Sequence, residues 1–203
     1  MIYLAGTNMQ VDQINQKYLD EIHVKPTIFT ANVSGEVNEK QFPTAGFLAL
    51  KPGAQVMFVN NDPEGRWVNG TLGKIKKIKK DELIVAIFRE DGVEEEEVEV
   101  TPHTWKVSQY VYDSDKHKLS GSLVGSFTQI PLTLAWAITI HKSQGKTFDK
   151  VVIDLRTGIF AHGQTYVALS RCRTLEGIQF VSQVRPDHIK LDPAVVEFLM
   201  WQK

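Results

Sequence analysis

The texture of the sequence changes twice along the chain, and this constrains the fold more than any single residue does. From about Lys51 to Phe127 short strand-like runs follow one another: Ala54–Asn60, Thr71–Ile78, Leu83–Phe88, Glu95–Val100 and Lys106–Tyr112. Turn signals separate them at Pro52-Gly53, Asn60-Asn61-Asp62, Asn69-Gly70, Asp91-Gly92 and Thr101-Pro102. There Gly, Pro, Asn and Asp supply the backbone angles of a tight reversal. Five short strands packed this closely predict a small, strongly bent sheet or barrel.

On both sides of that stretch, strand and helix alternate. Ile2–Ala5 reads as a strand and Met9–Ile22 as a helix, with Thr7 or Asn8 as its N-cap. Val11, Ile14, Tyr18 and Ile22 recur at three- and four-residue spacing and give that helix one apolar face. Pro26 bars further helix, and Thr27–Val33 alternates as a strand does. Beyond the β-rich stretch, Pro131 suits a first helical turn, and Thr133–Ser143 reads as helix or strand, with a helix closed by Gly145 preferred. Val151–Leu155 reads as a buried parallel strand, Gln164–Cys172 as a helix, Ile178–Ser182 as a strand and Pro193–Trp201 as a closing helix. The expectation is an α/β fold interrupted by an all-β insert, divided as 1–50, 51–127 and 128–203. A strand beginning at Ile2 with no preamble suggests a piece of a longer chain.

Composition narrows the function classes. With 42% hydrophobic and 23% charged residues, a buried core is expected. A net charge of −1 gives no general attraction to nucleic acid, so any such contact must come from a local patch. Cys172 is the only cysteine, which excludes an internal disulfide and a cysteine-rich zinc site. No apolar run approaches the ~18–20 residues needed to cross a bilayer, and no basic-then-apolar leader opens the sequence. A cytoplasmic, bacterial setting with no membrane partner is expected.

Two segments carry candidate chemistry. Gly145-Lys146-Thr147 has the ending of a phosphate-binding P-loop, but that loop needs a second glycine five residues earlier, and position 140 is Ile. Without a P-loop here or elsewhere, an independent nucleoside triphosphatase is not expected. In Ile138–Thr147, Lys142, Ser143 and Thr147 carry donors for phosphate oxygens, and Gly145 permits close backbone approach. The same residues also make an ordinary helix C-terminus, with a glycine cap and cations answering the dipole. Arg171, ending the short apolar run Tyr166–Arg171, either satisfies local carbonyls or projects toward a phosphate. The residue pattern leaves both readings open.

Other features point to structure. Lys74, Lys76, Lys77, Lys79 and Lys80 face an acidic counterpart in Glu94–Glu97 and Glu99, which favours charge balance across a hairpin over a DNA-facing patch. Trp67 and Trp105 read as barrel core rather than as base-stacking platforms. Asp149 and Asp154 flank opposite ends of a strand, which disfavours a two-carboxylate nuclease centre.

The stretch PLTLAWAITIHKSQGKTFDKVVIDL followed by GQTYVALSRCRTLEGIQF resembles the last motifs of superfamily one DNA helicases of the RecD and petite-integration-frequency (Pif) branch. Upstream, LAGTNMQVDQIN resembles that family's fourth motif, and LKPGAQVMFVNND with WVNGTLGKI resembles its inserted small barrel. The resemblance implies a RecA-like parallel-sheet domain carrying an SH3-like β-barrel insert, from an ATP-dependent 5′–3′ DNA helicase of repair and recombination. It implies that ATP and Mg2+ are bound mainly by a first RecA-like domain, so the piece alone should hold no cofactor and be inactive. Arg171 matches the arginine that reaches the γ-phosphate across the domain cleft. Gln144 and Gly145 match the motif coupling nucleotide to DNA. Thr139, His141 and Lys142, with Thr7 and Asn8, lie where the family contacts single-stranded DNA. Gln164 and Tyr166 are expected to orient the Arg171 helix. The implied partners are single-stranded DNA and the upstream RecA-like domain of the same chain. The competing class is a non-catalytic module that binds nucleic acid or protein.

Overall fold

The computed structural model describes residues 1–80, 82–88, 96–113, 118–159 and 161–201. The turn expected at Asp91-Gly92, and Glu94 and Glu95 of the acidic run, lie outside the described residues. The chain divides into two compact units, Met1–Glu21 with Ala135–Lys203, and Ile22–Leu134. Residues 22–50 thus group with the second unit, where the sequence reading counts them with the first.

The first unit opens with β1 (Ile2–Ala5), as the sequence predicts, and α1 (Asn8–Asp20). Thr7 starts the helix: its hydroxyl oxygen accepts from the Gln10 amide at 3.2 Å, filling one of the amides left open in a first turn. The buried positions of α1 are Gln10, Asn15 and Leu19, with Val11, Ile14 and Tyr18 half-buried beside them. Two amide side chains therefore sit on a face that periodicity marks as apolar.

Among the described residues the second unit has one 3-10 turn, Glu39–Gln41, and is otherwise built of strands: β2 (Thr27–Thr30), β3 (Asn32–Gly35), β4 (Phe47–Leu50), β5 (Gln55–Phe58), β6 (Leu72–Ile78), β7 (Leu83–Ile87), β8 (Glu96–Val100), β9 (His103–Asp113), β10 (Lys118–Gln129) and β11 (Leu132–Leu134). They form antiparallel sheets ordered β2-β4, β3-β10-β9 and β11-β5-β6-β7-β8. The strand expected over Thr27–Val33 is two strands in different sheets, parted at Ala31, whose N–H bonds the Gly46 carbonyl at 2.8 Å as the last link of the β2–β4 ladder. The five-stranded sheet also recruits an unexpected member. Lys106–Tyr112 belongs to β9, which pairs with its hairpin neighbour β10, and the fifth place is taken by β11 through Leu132, Thr133 and Leu134. Chain neighbours pair readily, and the buried Leu132 fixes β11 against Phe58.

Trp67 is 6% exposed, stacks on Phe58 at 4.5 Å and donates its indole N–H to Asn60. Trp105 is half-buried and lies 5.8 Å from Phe127. Lys74 and Lys77 are exposed on β6, in register with Ala86 then Glu97 and with Ile84 then Glu99. Lysine and glutamate rows therefore flank β7 on one face, and Lys79 pairs with Glu82.

The chain then returns to the first unit with β12 (Ala137–Thr139), β13 (Val151–Asp154), α2 (Gln164–Leu169), β14 (Ile178–Phe180) and α3 (Pro193–Trp201). The four strands make a parallel sheet in the order β12-β1-β13-β14, with β13 buried along its whole length. The helix predicted over Thr133–Ser143 is not there. Pro131 precedes β11, and the apolar run splits into β11, β12 and a single 3-10 turn at His141–Ser143. Tertiary pairing decides the matter. Residues 137–139 lie parallel to Tyr3–Ala5, and on the outer side the Asn15 amide donates to the Ala137 carbonyl at 3.0 Å and accepts from its N–H at 2.8 Å. Tyr18 stacks on Trp136 beside this clasp, 5.8 Å between ring centres. Among the described residues no helix is long and apolar enough to cross a membrane.

Candidate functional site

In parallel sheets, ligands gather at the carboxyl ends of the strands. Here β1 runs into Gly6-Thr7-Asn8, and its neighbour β12 runs into Ile140–Thr147, so both candidate DNA segments leave adjacent strands on the same side. Thr7 is half-buried with its hydroxyl committed to the helix cap, while Asn8 is exposed. Thr139 is 7% exposed, and its hydroxyl oxygen accepts from the Lys142 N–H at 3.2 Å. The Ile140 N–H bonds the Ala5 carbonyl at 3.0 Å, which fixes the start of the turn to β1. His141, Lys142 and Gln144 are exposed. Ser143 is fully buried and donates its hydroxyl to the Ile140 carbonyl at 2.6 Å, so it has no proton left for a phosphate. Gly145 has φ +75°, left-handed backbone that glycine adopts without strain, and space is open where a Cβ would stand. Burial holds the Lys146 amine below its ordinary range.

Arg171 lies beyond the end of α2, which closes at Leu169 rather than continuing to Cys172. Its guanidinium reaches back to this turn. Nη1 donates to the Lys146 carbonyl at 3.1 Å and, at 3.5 Å, to that of Ser143. Nε donates to Val167 O at 3.0 Å and Nη2 to the Ser170 hydroxyl at 2.9 Å. The backbones meet as well: the Phe148 N–H bonds the Arg171 carbonyl and the Arg173 N–H bonds the Phe148 carbonyl. Of the two residues expected to orient this helix, Gln164 is buried and accepts from the Ala161 N–H. Tyr166 is 75% exposed, and its carbonyl accepts from the Ser170 N–H at 2.9 Å. Thr165 also holds the helix, its hydroxyl donating to the His188 carbonyl.

Sequence reading missed a second polar group at the strand ends. Asp154, at the end of β13, is fully buried and accepts from Arg156 through both Nε and Nη2, at 2.6–3.2 Å. Burial pushes this carboxyl up, but the Arg156 bonds outweigh it and hold it below the usual carboxylate range. Thr157 donates to the buried Gln10 at 3.0 Å, tying this corner to α1. The Asp-x-Arg spacing was the available signal; the Gln10 contact left none in the sequence. Among the described residues, no cluster of His, Cys, Asp and Glu is placed to hold a metal ion.

No protein-family model matches the chain. Individual proteins do. The ATP-dependent DNA helicase Pif1 of Bdellovibrio bacteriovorus is 37% identical over 200 residues, covering 96% of this chain and 42% of that protein. The human PIF1 helicase is 36% identical over 189 residues, covering 91% of this chain and 27% of that protein. The chain is homologous to the C-terminal portion of the Pif1 helicases. It spans less than half the length of these relatives, 42% and 27%. Solved structures agree with the assignment. Bacteroides Pif1 in complex with ADP-AlF4 matches with a TM-score of 0.80, and the same protein bound to ssDNA with 0.78, both at 34% identity over 98% of this chain. The chain covers 44% and 45% of those two Pif1 chains.

Proposed function

We propose that this chain is the C-terminal motor portion of an ATP-dependent DNA helicase working 5′ to 3′, in which Arg171 serves as the arginine finger. One observation carries the reading: the guanidinium of Arg171 and the turn bearing His141, Lys142 and Gln144 are bonded to each other on one unit. Nucleotide side and DNA side are thus a single mechanical piece. Bacteroides Pif1, similar over nearly the whole chain, is a protein that takes both an ADP-AlF4 complex and ssDNA.

In this reading ATP and Mg2+ are bound mainly by an upstream RecA-like domain, and Arg171 would stabilise charge on the transferring phosphoryl group. His141, Lys142 and Asn8 grip the single strand. Thr139 and Thr7 act one step back, holding the backbone that presents these side chains. Gln144 and Gly145 form the bend joining the two sides. The β-rich stretch 51–127 is read as an SH3-like barrel insert. Without the upstream domain the piece should not hydrolyse ATP.

The test is Arg171→Ala in the full-length protein, followed by DNA-stimulated ATP turnover. A fall of about 10³-fold or more is expected, the usual weight of an arginine finger. Retained turnover in that variant would sink the finger assignment. A wild-type full-length protein that binds ssDNA but never turns over ATP would replace the motor reading with that of a binding module. Lys142→Ala is expected to weaken ssDNA binding and to reduce the slope of log affinity against log salt by about 0.7, one phosphate contact. An unchanged slope would remove Lys142 from the track.

A further inference from the structure

The donor geometry of Arg171 leads beyond a finger. A guanidinium carries five N–H groups in a fixed plane. Four acceptors already face it: the carbonyls of Lys146, Ser143 and Val167 and the Ser170 hydroxyl. Bidentate capture of a phosphate needs two adjacent N–H groups along one edge. Arg171 cannot offer them while Nη1 spans the two turn carbonyls and Nε is held by Val167.

Those carbonyls are well chosen. Ser143 and Lys146 stand on either side of Gln144-Gly145, so Nη1 closes the turn as a staple would. Gly145 lies within it with left-handed backbone and open space where a Cβ would stand, so no side chain braces the bend at that position. Within the turn, the Ser143 hydroxyl bonds the Ile140 carbonyl and the Lys146 N–H bonds the Ser143 carbonyl at 3.1 Å, and both ends are fixed as well. Ile140 is held by β1, and Phe148 by the parallel bridge to Cys172.

We infer that Arg171 is also a positioning residue for the DNA-side turn, anchoring Ser143–Lys146 when no nucleotide is bound and releasing it when it turns to a phosphate. Anchoring and phosphate sensing are mutually exclusive states of one side chain. By linkage, single-stranded DNA on the anchored turn and triphosphate on Arg171 then oppose each other's binding by the same factor. The nucleotide half of this inference rests on the finger reading above; the anchoring half stands on the contacts alone.

The experiment compares wild type, Arg171→Ala and Arg171→Lys in the full-length protein. Affinity for a labelled oligo(dT) is read by anisotropy without nucleotide and with a non-hydrolysable ATP analogue, and amide exchange is followed over residues 143–147. Without nucleotide, R171A is expected to bind about 5-fold more weakly or worse, with faster exchange in 143–147 and unchanged exchange in β1 and β13. The analogue should weaken DNA binding in wild type and leave it unaltered in R171A. A finger with no anchoring role does nothing in the absence of nucleotide, so unchanged nucleotide-free affinity and exchange would overturn the inference while leaving the finger intact. Weaker nucleotide-free binding together with undiminished ATP turnover would do the reverse. If R171A fails to fold, R171K decides: an amine lacks the Nε and Nη2 donors that fix the guanidinium to Val167 and Ser170 and aim Nη1 at the turn, so wild-type affinity and exchange in that variant also overturn the anchor.

Discussion

Replacing Asn15 by Leu keeps the volume of a buried side chain but strips both bonds from Ala137, leaving a buried N–H and C=O unpaired. Each such group costs roughly 1–3 kcal/mol. N15L is therefore expected to lower unfolding stability by about 2–4 kcal/mol in a urea titration, and an unchanged midpoint would contradict the clasp. Thr7→Ala removes a single cap bond and should cost about 1 kcal/mol. The two residues differ in how visible they were beforehand. Thr7 was legible because a cap is a local event, complete within three residues. Asn15 was not, because its partner lies 122 residues along the chain. Arg171 falls between them: its placement after a short apolar helix marked it, but nothing in the pattern pointed to the carbonyls of Ser143 and Lys146.

At the scale of elements, what could be read followed from what is locally determined. β1, β13, β14 and both long helices were foreseen to within a few residues, since apolar runs and flanking turn residues delimit them. β12 was misread because a short, wholly apolar run has the same pattern in a buried strand and a buried helix. Pairing with Tyr3–Ala5 chose between them. In the β-rich unit the turns were readable but the partners were not: β3 joins β10 across more than eighty intervening residues. That pairing depends on close backbone approach. A Cβ at Gly125 would lie 2.5 Å from the Ser34 carbonyl oxygen and 2.7 Å from the Val37 side chain. Gly125→Ala is thus expected to push β3 off β10 at a cost of about 1–3 kcal/mol, seen as a lower calorimetric melting temperature and faster amide exchange in 32–35. Full retention of both would mean that β3 is not held by this contact.

For the molecule as a whole, ionisation sets limits at both ends of the pH scale. The hydrogen bond to Tyr3, helped by burial, pushes the Tyr18 phenol up to about 12. A folded-state value above the ordinary one, near 10, means that the native state holds this proton more tightly than the unfolded chain does. Its contribution is complete below about pH 10 and disappears as pH rises through about 12. At the acid end the signs reverse. Hydrogen bonds from Arg66 hold Asp62 below the usual carboxylate range, and Arg156 does the same for Asp154 against the opposing effect of burial. Their contribution is present above that range and is lost as pH falls through and beneath it. Urea midpoints should therefore form a plateau that declines at both ends, with Tyr3→Phe shrinking the alkaline decline, because the folded-state value falls back toward the unfolded one. Superimposable alkaline limbs for wild type and Y3F would rule out Tyr18 as their source.

The Asn15 clasp bears on one more property of the molecule. β12 is the outermost strand of its sheet, and bare sheet borders invite strands from other chains to add on, the first step of β-aggregation. Here the border strand is only three residues long, and an outward-facing peptide position is already occupied by a side chain of the same unit. An incoming strand would find a template of three residues whose Ala137 position is already taken.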